Sequence, residues 1–158
     1  MPVQWIGQDL FARVLEEARR SPRRRMNYNF HESLDENAHR LLNVLLEGTY
    51  IRPHRHLDPP KPESFLVLEG EIAIFIFDDD GAIVSKRIAG RNGLWGVDIP
   101  AGLWHTIAAV TPHAICHEVK PGPYSPATDK AFASWAPREG EAGVAEMLER
   151  LMQAPERG

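Results

Sequence analysis

The chain of 158 residues contains one cysteine, Cys116, so no disulfide can form within it. That usage fits a reducing compartment. No run approaches the ~18 apolar residues that a membrane-spanning helix requires. The opening MPVQWIGQDLF has no basic stretch followed by an apolar one, so no secretory leader is expected and the expected location is cytoplasmic. Lysine is scarce, with 4 Lys against 14 Arg. The 18 basic and 22 acidic side chains give a net charge of −4, which argues against non-specific nucleic-acid binding as the main task. No internal repeat and no low-complexity tract is present. The apolar fraction of 43% is too high for a disordered chain. At this length a chain buries roughly two-thirds of its unfolded surface. One domain over 1–158 is therefore expected, with no linker long enough to separate a second.

Periodicity divides that domain into three parts. In residues 1–39 the segment Gln8 to Arg20 reads as a helix. Leu10, Phe11, Val14, Leu15 and Ala18 recur at helical spacing. Asp9 is placed to cap its start, and Ser21-Pro22 stops it. Five arginines then fall between Arg19 and Arg25, followed by MNYNFH. There Met26, Tyr28 and Phe30 alternate with Asn27, Asn29 and His31, the two-residue period of a strand. Residues 40–122 are β throughout. RLLNVLLEG, SFLVLEG, EIAIFIF and IVSKRIA read as strands, the last two a hairpin around DDDG. GLWGVDIPAGLWHTIAAV and HAICHEVKPGPY supply two or three more. Short strands separated by Gly, Pro and Asp turns indicate a sandwich or barrel. Residues 123–158 read as a coil followed by a short helix up to about Met152, marked by Val144, Met147, Leu148 and Leu151.

The chemistry gathers at four residues. His54 and His56 lie two apart on an extended segment, which puts both side chains on one face with their Cα atoms about 6.5 Å apart. Two imidazoles at that separation can share an ion about 2.1 Å from each nitrogen. Glu63 opens the next strand beyond LDPPKP, and His105 follows a Pro-Ala-Gly turn. Three imidazoles and a carboxylate suit a divalent first-row metal, with iron, manganese, nickel, cobalt and zinc all admissible. Glu69 and Glu71 are weaker substitutes for Glu63, because they flank a turn.

These motifs resemble those of the cupin superfamily. The first runs Gly48, TYIRP, His54-Arg55-His56, LDPPKP, Glu63, SFLVLE, Gly70. The second runs Gly93, LWGVDI, Pro100-Ala101-Gly102, LW, His105, TIA, Ala109. Each motif carries one longer spacing, six residues between His56 and Glu63 and six between Gly93 and Pro100. Ala109 stands where the superfamily usually has Asn. With SPRRRMNYNFH, PHRH and VKPGPYSP included, the chain also resembles the WbuC-type cupin-fold metalloproteins, a group often associated with bacterial surface-polysaccharide gene clusters. The resemblance implies a mainly β fold, a double-stranded β-helix (cupin) barrel with an N-terminal and a short C-terminal helix. It also implies one divalent metal held by His54, His56, Glu63 and His105.

The remaining assignments follow from position. Arg23, Arg24 and Arg25 form either a solvated basic turn or a clamp for an anionic ligand. Asn27, Asn29 and His31 face either water or the barrel mouth. Arg52 and Tyr50 share the parity of the histidine pair and are expected in the same cavity. His31 and Glu118 are the proton-transfer candidates, and Glu118 is also a candidate partner for Arg52. His113, Cys116 and His117 do not form a second metal site, because Cys116 faces opposite the other two. Trp95 and Trp104 read as packing residues rather than stacking platforms. The function expected is a mononuclear metal-binding cupin acting on, or binding, a small anionic molecule such as a sugar derivative. The alternative is a non-catalytic metal- and ligand-binding module. No nucleic-acid or membrane partner is expected, and a homodimer is expected by analogy with other cupins.

Overall fold

A computed structural model describes residues 3–158; the first two residues of the expected N-terminal region lie outside the described residues. Helix α1 spans Gln8–Arg20, and the first sheet's strands begin with β1 (Arg25–Asn29) and β2 (Ala38–Leu46). Then come β3 (His54–Arg55), β4 (Glu63–Glu69), β5 (Ile72–Phe77), β6 (Ile83–Ala89) and β7 (Gly96–Ile99). β8 (Trp104–Ala109), β9 (His113–Pro121), β10 (Ala131–Phe132) and α2 (Val144–Gln153) complete the order. The strands make two antiparallel sheets, β1-β2-β9-β4-β7 and β10-β3-β8-β5-β6. This is the double-stranded β-helix barrel with flanking helices that the cupin resemblance implies.

Three apolar layers explain why particular strands are apolar on both faces. Between the sheets, Leu45, Phe65, Val67, Ile72, Ile74, Ile107, Ala114 and Cys116 form the central core. Outside the first sheet, the α1 stripe of Leu10, Phe11, Val14 and Ala18 covers Leu42, Val44, Leu46 and Ile115, with Phe30, Met26 and Tyr28 beside them. Outside the second sheet, Met147 and Leu151 of α2 cover Ala73, Phe75, Phe77 and Ala108. β2 and β5 each lie between two of these layers, so RLLNVLL and IAIFIF read as nearly continuous apolar runs. Each fully buried side chain among them, such as Leu42 or Phe75, contributes about 1.5–3 kcal/mol.

The inward face changes character along the barrel. On β9 it runs from Ala114 and Cys116 to Glu118 and Lys120; on β4, from Val67 through Phe65 to Glu63. On β8 it runs from Ala109 through Ile107 to His105. One end is therefore an apolar plug and the other a polar cavity. Gly70 closes the β4–β5 turn at φ +72°, and a methyl group there would collide with the His113 carbonyl.

Several local expectations need correction. Asp9 lies inside the first turn of α1, and the N-cap is Gly7, which offers no side chain. The region after Gly122 is not all coil, because β10 pairs with β3 and places Phe132 opposite His54. Arg157 pairs with Lys86 through both backbone bonds, extending the second sheet at β6. The Lys86 ammonium donates to the Met152 and Ala154 carbonyls at the end of α2, satisfying oxygens that the helix leaves unpaired.

Candidate metal centre

His54 on β3 and His105 on β8 are direct cross-strand partners in the second sheet. Glu63 opens β4 in the first sheet, so the group bridges the two halves of the barrel. With His56, just past β3, one ligand atom from each residue lies within 4.8 Å of all the others, and all four residues are buried.

The imidazoles are oriented by main chain. His54 Nδ1 lies 3.0 Å from the Arg52 carbonyl, His105 Nδ1 lies 2.8 Å from the Leu103 carbonyl, and His56 Nδ1 contacts the Asp129 carbonyl. A carbonyl only accepts, so each Nδ1 carries the proton and each Nε2 presents a lone pair to the centre. His56 Nε2 and His105 Nε2 are buried with no hydrogen-bond partner, although they lie 3.2 and 2.6 Å from the Glu63 carboxylate. Buried lone pairs converging with a carboxylate fit a divalent cation, and the carbonyl contacts are the usual support for histidine ligands. Burial, with the charge of Lys130 nearby, pushes the His54 imidazole well below its ordinary 6.5, keeping it neutral as a ligand must be. Burial alone would raise the Glu63 carboxyl, but once the facing nitrogens of His105 and His56 carry a proton, as they do in acid without a cation, their contacts outweigh this and hold it well below 4.5.

The cavity above the cluster encloses about 600 Å³. Arg23, Arg25, Asn27, Asn29, His31 and Glu118 line it together with His54, Glu63 and His105. Arg23 and Arg25 are both paired with Glu139, at 3.0 Å for Arg23. Arg24 and Arg52 are not part of it. Arg24, at φ 56°, is turned onto the Glu47 carbonyl. Arg52 donates to the Ala133 and Ala136 carbonyls and lies over the Phe132 ring. Strand parity misplaces it because residues 50–53 form no regular ladder and Pro53 interrupts the alternation. Ile51 lines the cavity, while the Tyr50 hydroxyl donates to the Pro137 carbonyl.

The proton-transfer candidates have unlike surroundings. His31 stacks on His39 with centroids 4.1 Å apart, and its Nδ1 is engaged by the Arg40 backbone. Glu118 accepts from Asn43 and lies 3.0 Å from Lys120; Arg52 is not its partner. Burial alone would lower the Lys120 ammonium, but Glu118, Glu63 and Asp129 outweigh it and hold its pKa above the usual lysine range. Cys116 lies in the central core, where burial and the Glu118 charge push its thiol up to about 12, as an inert structural cysteine requires. His113 pairs with Glu69 at 2.6 Å and is not a ligand. Trp104 packs on Trp135 and beneath Arg55, whereas Trp95 is exposed.

Sequence reasoning passes over Lys61, Asp129 and Lys130. Lys61 Nζ lies 3.0 Å from Asp129 Oδ1 and donates to the Pro123 carbonyl, anchoring the segment whose carbonyl orients His56. All three sit in proline-rich or coil stretches without periodicity, so only their composition, three charges in apolar surroundings, could have marked them.

Solved structures share this fold. A capsular polysaccharide assembling protein, CapF from Staphylococcus aureus, matches at 24% identity and TM-score 0.56, over 67% of this chain and 28% of that chain. L-ribose isomerase from Geodermatophilus obscurus matches at 15% identity and TM-score 0.58, over 71% of this chain and 70% of that chain. An oxalate oxidase in complex with the substrate analogue glycolate matches at 19% identity and TM-score 0.53, over 72% of this chain and 57% of that chain. The chain spans about 30% of the length of the CapF chains it matches. No curated protein sequence matches. The model of the family described as "Domain of unknown function (DUF6016)" matches residues 6–89, more than half of the sequence and including His54, His56 and Glu63, and the chain belongs to that family.

Proposed function

We propose that this chain is a single-domain, mononuclear divalent-metal-binding cupin whose cavity takes a small anionic molecule, a sugar derivative of the kind used in bacterial surface polysaccharides. The observation that carries the reading is the shared orientation of three imidazoles. Each Nδ1 is held by a backbone carbonyl, and each Nε2 is left for a cation beside Glu63. The neighbours named for capsular polysaccharide assembly and for L-ribose isomerisation support the choice of a sugar derivative. The WbuC-type likeness, a cytoplasmic location and a homodimer belong to the same reading.

A bound divalent ion would polarise a carbonyl or hydroxyl of the ligand as a Lewis acid. Of the chain's own groups, His31 is the better proton-transfer residue. The backbone occupies its Nδ1, while its ring lines the cavity. Glu118 already accepts from Asn43 and ion-pairs with Lys120 at 3.0 Å, so it serves to hold charge. That occupation also favours a second reading, a module that binds metal and ligand without turnover.

Elemental analysis of natively purified protein tests the centre. The expected result is about one divalent metal per chain in the wild type and none in His54→Ala or His105→Ala. Equal metal in all three removes the reading. Incubation with nucleotide-sugar and sugar-acid mixtures, followed by mass spectrometry, separates the two readings. A changed product that disappears in His31→Asn supports the enzyme, and an unchanged mixture supports the binding module.

A further inference from the structure

Four basic side chains line the cavity: Arg23, Arg25, Lys120 and Lys130. Three have partners there. Arg23 and Arg25 share Glu139, and Lys120 lies 3.0 Å from Glu118 and 3.7 Å from Asp129. Among the described residues, Lys130 alone of the four has no carboxylate within 4.0 Å. It directly precedes β10, whose Ala131 and Phe132 pair with Arg55 and His54, so its backbone runs beside the ligand-bearing segment. With a divalent ion on the four ligands, the walls hold four basic groups and the ion against Glu63, Glu118 and Glu139. Positive charge is therefore in excess, and an enclosed, uncompensated charge is costly.

The rest of the lining describes the ligand's body. Ile51, Phe65, Ile107 and Phe132 offer an apolar surface to a carbon skeleton. Asn27 and Asn29 are exposed at the mouth, and their amides can both donate to and accept from hydroxyl groups. A lone ammonium is a point charge that suits a single carboxylate, and the guanidinium forks that would favour phosphate are already taken by Glu139.

We infer that Lys130 is the anion anchor of the cavity, binding the carboxylate of a small polyhydroxy acid whose hydroxyl groups reach Asn27 and Asn29. The inference rests on the metal-centred cavity proposed above and names its substrate class. Calorimetric titration of the manganese-loaded protein with D-gluconate, its uncharged counterpart D-sorbitol and inorganic phosphate tests it, with metal content measured on the same samples. Gluconate is expected to bind at least about 10-fold more tightly than sorbitol or phosphate, the scale of one charge-assisted contact. Lys130→Gln should remove that preference without changing metal content or sorbitol binding, and Lys130→Arg should restore most of it. Undiminished gluconate binding by Lys130→Gln overturns the anchor. So does a metal-loaded wild type that ignores gluconate or prefers phosphate. A wild type that takes up no metal overturns the metal-centred reading and this inference together.

Discussion

The floor and the rim of the cavity are built differently. At the floor, three rings are fixed by main-chain carbonyls and buried. At the rim, Arg23 and Arg25 are held mainly by a side-chain carboxylate, Glu139, which is partly open to solvent. A buried, backbone-oriented group loses little freedom when its ligand arrives, whereas an exposed ion pair such as Arg23–Glu139 rearranges cheaply. The floor is therefore preorganised for one occupant, and the rim is adjustable.

The sharpest way to break that contrast is to remove the strut beneath the floor. Lys61→Met leaves the buried Asp129 with only the more distant Lys120, 3.7 Å away, and a loss of about 2–3 kcal/mol is expected in denaturant melts. Metal affinity should fall about 10-fold in a competition titration, because the Asp129 carbonyl orients His56. Acid acts on the floor next. His54 has a depressed pKa in the folded protein, so the unfolded chain binds more protons below the ordinary 6.5. Its contribution is complete above that pH and is lost as the pH falls. Glu63, also depressed, adds a further loss below 4.5, and metal is released over the same range. Thermal melts and metal content between pH 7.5 and 4.5 should both fall, and His54→Gln should flatten the upper part of the curve. The rim should respond least. Glu139→Gln is expected to cost about 1–2 kcal/mol, because Arg25 is largely buried, and to leave metal content unchanged. Chloride titrations should then show stronger, salt-dependent anion binding at the freed Arg23.

The parts of the molecule that could be read in the residues share one property: regular backbone. The α1 stripe, the apolar runs of β2 and β5 and the alternation of Met26, Tyr28 and Phe30 each report which faces are covered. The histidines were legible because two sit at strand spacing and the third follows a turn, so the barrel carries them together. Arg52 was misplaced because strand parity fails across Pro53, and Arg24 because a left-handed backbone redirects its side chain. β10 has only two residues and no period. Lys61, Asp129 and Lys130 depend on where irregular segments lie in space, and local pattern does not encode that.

The three contacts that orient the clustered imidazoles end on oxygens of residues 52, 103 and 129. Peptide oxygens are the same whatever the codon specifies. Substitutions at those positions reach the imidazoles only by displacing the chain, so point changes can retune the arginine-lined entrance while the tautomers beneath it persist.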